Sequence, residues 1–285
     1  MKDEAMIRHI LLNPVKILRR ILPAGIILAG LSCTEKIDWE LKYDQEPFLV
    51  VEGKITDEVK SHEVRLTRPE YEMNGSPEPV SGAVVEINDG REIHPLNEDP
   101  LRPGIYLTAR DFAGEVKKGY QLRIRYGNLR VTAVAFMRAV TPFQHMRPRR
   151  VQKEPLLYEL SISESDQPAI VRLEMDWSHL PGYDTLPEAE TRALICHYTL
   201  GSVDVNRIFA PESEHVKFPP GTIVFREKES VSPAYEEFLR GMLSETDWRG
   251  GVFDVLPGNT RTNLSVGALG YFTAASVIRD TVVIN

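Results

Sequence analysis

The sequence predicts a mostly-β chain. It reads as an immunoglobulin-like (carboxypeptidase-regulatory-like) sandwich followed by a second β-rich domain with one amphipathic helix. Three observations predict it. Short runs of period-two alternation recur from about residue 47 onward, with turn chemistry between them. A proline-bearing break over 141–155 divides those runs into two groups. A single stretch, Ser232 to Leu243, repeats at helical period instead. A composition of 42% hydrophobic and 26% charged residues is that of an ordinary globular chain.

Ahead of the first strand signal stands an apolar run, Ile21 to Leu31, behind Lys16, Arg19 and Arg20. Its length of about 11 residues suits a signal peptide and falls far short of the roughly 20 that span a bilayer. Ser32 supplies the small residue that cleavage needs, and Cys33 follows it. The layout predicts a lipoprotein signal peptide over 1–32, acylation of Cys33 with palmitate-type chains, and an N-terminal tether over 33–46. A permanent span, or a secretory signal with an incidental cysteine, fits the same residues less well. More than one acyl chain holds stably, so the expected site is a membrane surface.

The first unit is expected over 47–140. Phe48 to Gly53 opens it, and His62 to Thr67 alternates. Ala83 to Ile87 runs into Asn88-Asp89-Gly90, a hairpin signal because such turns need positive φ. Tyr120, Leu122, Ile124 and Tyr126 share one face of a later strand, and Tyr120 has the placing of a tyrosine corner, bonding backbone upstream of itself. The basic cluster Arg147, Arg149, Arg150 and Lys153 sits among prolines and reads as part of the 141–155 linker.

The second unit is expected over 156–285. Leu156 to Ile162, Ala169 to Trp177, Ala193 to Leu200, Gly221 to Phe225, Val252 to Leu256 and the last 20 or so residues carry strand signals. Cys196, within Ala-Leu-Ile-Cys-His-Tyr, is expected as a buried strand thiol; with Cys33 acylated it has no disulfide partner. The helix is expected near 233–243: Ser232 caps it, Pro233 takes the first position, and Tyr235, Phe238, Leu239, Met242 and Leu243 form one apolar stripe.

Two sets of residues carry a resemblance. The first is Leu49-Val50-Val51-Glu52-Gly53-Lys54-Ile55-Thr56-Asp57, with Pro79 to Val85. The second is Thr262 to Ser276, which includes Asn263-Leu264, Gly267 and Gly270-Tyr271-Phe272-Thr273-Ala274-Ala275-Ser276. With the Cys33 lipobox, they resemble a Bacteroidota outer-membrane lipoprotein family catalogued as a domain of unknown function. Members are often encoded near TonB-dependent receptors. The resemblance implies an outer-membrane location and a TonB-dependent transporter as partner; it implies no catalytic residues.

Net charge of -7 argues against nucleic acid. His62, His94, His145, His179, His197 and His215 lack zinc-ligand spacing, so neither a metal nor a cofactor is expected. Asp176 with His179 is a weak ligand pair. Glu159, Glu164, Asp166 and Glu174 are weak candidates for paired carboxylates. Tyr71, Trp177, Tyr183, Tyr198 and Trp248 could stack on sugars but share no evident face. The expectation is a non-enzymatic binding or scaffold lipoprotein accessory to a transporter. A surface glycan- or peptide-binding module is the alternative, and a hydrolase ranks below both.

Overall fold

Leu49, Val51 and Ile55 of β1 (Leu49–Thr56) point inward with at most 2% exposure, while Glu52 and Lys54 point the other way. Similar alternation carries β2 (Glu63–Thr67), β3 (Val84–Asn88), β4 (Ile93–Glu98), β6 (Gly119–Tyr126) and β7 (Leu129–Phe136), while the short β5 (Ile105–Leu107) buries both Ile105 and Tyr106. The computed structural model describes residues 48–70, 75–143, 146–161, 167–200, 215–246 and 260–285. The expected signal peptide, the tether, Cys33 and the Val252 to Leu256 strand lie outside the described residues.

The remaining strands are β8 (Arg147–Lys153), β9 (Leu156–Ser161), β10 (Ala169–Asp176), β11 (Arg192–Thr199), β12 (Ile223–Ser230), β13 (Ala268–Ala275) and β14 (Val277–Val283). They do not follow the expected division. β13 belongs to the first sheet, whose order is β13-β1-β2-β5-β4-β3-β6-β7. It pairs in parallel with β1 from Leu49 opposite Ala268 to Thr56 opposite Ala275. The chain then passes through Ser276 into β14, at the end of a second sheet ordered β11-β10-β12-β14. The 156–285 unit is therefore not continuous: its penultimate strand completes the first sandwich. The expected linker is also different, because Arg147 to Lys153 form β8, paired with β9 as a separate hairpin.

Residues just ahead of β13 join the two ends of the first sheet. Leu264 bridges Ala133 of β7, and the Ser265 N–H donates to the Thr132 carbonyl at 2.8 Å. The Asn263 side chain acts as a piece of backbone. Its amide donates to the carbonyls of Val134 (2.9 Å) and Phe272 (2.7 Å), and its oxygen accepts from the Phe272 N–H (3.1 Å). Inside this ring lie Tyr106, Tyr120, Leu122, Ile124 and Phe272, each at most 2% exposed. The tyrosine corner is present: the Tyr120 hydroxyl accepts from the Glu115 N–H at 2.5 Å.

Val171, Leu173, Met175 and Val224 line the inner face of the second sheet, covered by Tyr158, Leu160 and Phe218. Tyr158 and Phe218 exchange backbone hydrogen bonds at 2.8 and 3.0 Å. Two helices occur among the described residues, α1 (Glu188–Thr191) and α2 (Pro233–Thr246). The Ser232 hydroxyl caps α2 by accepting from the Tyr235 N–H at 3.3 Å. Leu239 and Leu243 of its stripe are buried with Leu200 and Val231, and Phe238 lies 4.7 Å from the Tyr271 ring of β13. Among the described residues, no helix is long and apolar enough to cross a membrane.

Candidate functional site

The two sets of residues singled out above meet in the fold. Parallel pairing sets Val51 opposite Gly270 and Gly53 opposite Phe272. Gly270 has φ +94°, and a Cβ there would lie 2.2 Å from the Val51 carbonyl oxygen. A Cβ on Gly53 would lie 2.9 Å from the Phe272 ring. These glycines are required by close approach of two strands.

Past the ends of β1 and β13, the sheets are joined by polar side chains. The Asp57 carboxylate accepts from the Ser276 hydroxyl (2.6 Å) and the Val277 N–H (2.8 Å). Ser230 of β12 accepts from the Ser276 N–H (2.9 Å) and donates to the Arg138 carbonyl (2.7 Å). Lys54 pairs with Glu229 at 2.6 Å, and Arg279 contacts both Glu58 and Glu227. Lys228, only 2% exposed, donates to Thr141 Oγ1 (2.8 Å) and the Pro142 carbonyl (3.2 Å). Burial, reinforced by the Glu229 charge, holds the Glu227 carboxyl above its ordinary range despite the charges of Arg172 and Lys54. Lys228 and Glu229, the enclosed members of the set, hold their positions only while each keeps its partners.

Beside this joint, along β14, runs a groove of about 530 Å³. Phe143, Met146, Ile278, Val282 and Ile284 give it apolar walls. Arg226 on its floor is bidentate to Asp280 and lies 4.4 Å from the Phe143 ring centre. Arg279 at its margin is held by Glu58 and Glu227. Its ionisable groups are thus committed to ion pairs, while its walls offer apolar contact. On the opposite face of the same sheet, exposed Leu194 and Phe225 flank Glu174, and Val283 is exposed farther along, opposite Ile223.

Cys33, with Tyr71, Glu164, Asp166, His145 and Trp248, lies outside the described residues. Asp176 accepts from the backbone and hydroxyl of Ser178 and from Arg192, which hold its carboxyl below the usual range. That is a strand-end turn, beside which His179 is exposed. Glu159 pairs with Arg149 at 2.8 Å, while Glu174 sits on the outer face of β10, so the two do not form a pair of carboxylates. Trp177 and Tyr183 pack in the second core and Tyr198 beside α2, sharing no platform. No group of three or more His, Cys, Asp or Glu among the described residues is placed to hold a metal.

Cys196 corrects its expectation. It is exposed, because the pairing with β10 sets it opposite Arg172 on the outer face and turns Ala193 and Ile195 inward. Sequence reasoning missed the Asp57–Ser276 contact and the β14 groove. The resemblance marked both halves of the former, without showing that they touch.

A family model described as Domain of unknown function (DUF4249) matches residues 34–206, more than half of the 285. The chain belongs to the DUF4249 family. The DUF4249 match includes Asp57 and most of the first sheet and ends before Asn263, Gly270 and Ser276. No curated protein matches the chain. Among solved structures, the crystal structure of chicken CNTN1 FN1-FN3 domains aligns at 9% identity with a TM-score of 0.30. The alignment covers 65% of this chain and 61% of that one, so the chain spans about three-fifths of its length.

Proposed function

We propose that the protein is a non-enzymatic binding or scaffold lipoprotein, anchored through Cys33 in the outer membrane and accessory to a TonB-dependent transporter. The observation that carries the binding reading is the β14 groove, whose walls are apolar and whose Arg226 and Asp280 are committed to each other. The anchor reading rests on the Ile21–Cys33 layout, and the transporter on the resemblance. Confinement to the membrane plane raises the effective concentration of an integral partner, so a modest interface suffices.

Palmitate labelling and membrane fractionation of wild type against Cys33→Ala test the anchor: wild type is labelled and floats with membranes, and the variant does neither. Co-purification of the detergent-extracted protein tests the partner. Recovery of an outer-membrane receptor with wild type, lost in Phe143→Asp, is the expected result; recovery of no outer-membrane protein counts against it. A peptide-binding role is the second reading, favoured over a glycan because Phe143 is the groove's one aromatic wall among the described residues. It predicts a transporter-independent ligand that Phe143→Asp also loses.

A further inference from the structure

The described chain begins at one pole of the first sandwich, and that pole carries two unusual side chains. The Leu49 N–H donates to the Gly267 carbonyl at 3.1 Å, and a Cβ on Gly267 would lie 2.9 Å from Leu129 Cδ1. Val266, in the turn between them, is 94% exposed. Across the same pole, the turn between β4 and β5 presents Leu101 at 89% exposure. Glu98 ties this turn to its neighbour by accepting from the N–H groups of Gly104 and Gly82, both at 2.9 Å.

The backbone of both turns is held in place. The Asp99 carboxylate accepts from the Leu101 N–H (3.0 Å) and from Arg102 Nε (2.7 Å). Ser265, next to Val266, accepts from the Thr132 N–H with its hydroxyl at 3.0 Å. Turn tips ordinarily carry small or polar residues. One exposed aliphatic side chain on a turn is ordinary, but here two almost fully exposed ones sit on ordered turns of the same pole.

We infer that this pole lies against the lipid bilayer, with Leu101 and Val266 entering the headgroup boundary. The inference rests on the proposed anchor at Cys33. Fourteen residues separate Cys33 from Phe48, a span that could reach at most roughly 50 Å, and the chain joins the fold at this pole. The opposite pole lies a further β1 length away, about 27 Å. The tether is long enough for either pole to reach the bilayer, so apolar burial of Leu101 and Val266, at the pole where the tether joins, is what orients the fold. The second sheet, reached through Asp57 and Ser276, is carried at the far pole, where a partner can meet its groove.

The test uses the acylated full chain with Cys196→Ser, reconstituted in phosphatidylethanolamine/phosphatidylglycerol vesicles that contain brominated acyl chains. A bimane label is placed through Leu101→Cys, Val266→Cys or Val59→Cys. Val59 is the control, an aliphatic side chain 72% exposed at the opposite pole. Quenching at 101 and 266 at least threefold stronger than at 59 is expected. Equal quenching at all three, none at any, or shielding of 101 and 266 only when outer-membrane protein is added overturns the inference. The palmitate and flotation assay separates the two readings. Acylated, floating protein without quenching sinks the inference alone, and unacylated protein sinks the anchor and the inference with it.

Discussion

The first sheet and the second handle their edges in opposite ways. In the first, Asn263, Leu264 and Ser265 join β13 to β7, so both ends of the eight-stranded order are paired. In the second, β11 and β14 are the terminal strands among the described residues, one carrying exposed Leu194 and Cys196 and the other beside an apolar groove. Unpaired edges and exposed apolar faces invite contact, and natural sheets usually blunt them. The first sheet is closed on itself, and the second keeps the open edges that the proposed binding role would use.

The division breaks most severely at Gly270. A methyl group there meets the Val51 carbonyl oxygen at 2.2 Å, at a φ of +94° that side chains resist. Gly270→Ala should cost about 4 kcal/mol, since backbone must move in the strand that closes the ring. Denaturant melts followed at the first sandwich check this; a loss under about 1 kcal/mol would mean that β13 does not sit against β1 as described.

Acid should weaken the first sandwich next. His62 is buried, its Nδ1 accepting from the Thr56 N–H at 3.2 Å. Burial, with the Lys60 charge adding, lowers its pKa from 6.5 to about 4. The unfolded chain then binds more protons than the folded one between those values. Stability therefore rises with pH across that window and falls as pH drops from 6.5 toward 4, by up to roughly 3 kcal/mol. His62→Gln, which keeps a donor and an acceptor but does not titrate, should flatten that slope in urea melts taken from pH 7 to pH 4.

Asp57 couples the two regions. Asp57→Ala leaves the Ser276 hydroxyl and the Val277 N–H without their acceptor, a loss of about 2 kcal/mol. The sharper expectation is a change in cooperativity: one calorimetric transition should split in two, because the sheets then share fewer contacts. A single, merely shifted transition would show that the remaining pairs, Lys54–Glu229 among them, suffice to keep the sheets together.

Local chemistry was legible in the sequence, and long-range pairing was not. Tyr120 finds Glu115 five residues away, and Ser232 caps its own helix; both were readable because cause and effect are neighbours. β13 pairs in parallel with a strand more than 200 residues earlier, and no local pattern encodes a partner at that distance. β8 has no apolar alternation, since Arg-Pro-Arg-Arg-Val-Gln-Lys is held by backbone pairing to β9, so it read as linker. For Cys196 the alternation was ambiguous: Leu194, Cys196 and Tyr198 are as apolar as Ala193, Ile195 and His197. Register with β10 decided between the two faces. The groove was hidden because its walls come from Phe143 and from β14, which are adjacent only once Ser276 carries the chain across.

The smallest expected effect sharpens the comparison within a single strand. Val224 and Phe225 are consecutive on β12, the first fully buried against Leu173 and Met175, the second 47% exposed. Val224→Ser should cost about 3 kcal/mol, combining a lost apolar side chain with a buried hydroxyl. Phe225→Ser, although it removes a larger side chain, should shift stability by about 0.5 kcal/mol or less, because the ring is only half covered in the fold. If Phe225 serves contact, its loss should instead show in association, as weaker recovery of a partner with an unchanged melt. A melt lowered as much as by Val224→Ser would mean that the outer face is covered within the protein itself, and the open sheet would then be as closed as the sandwich.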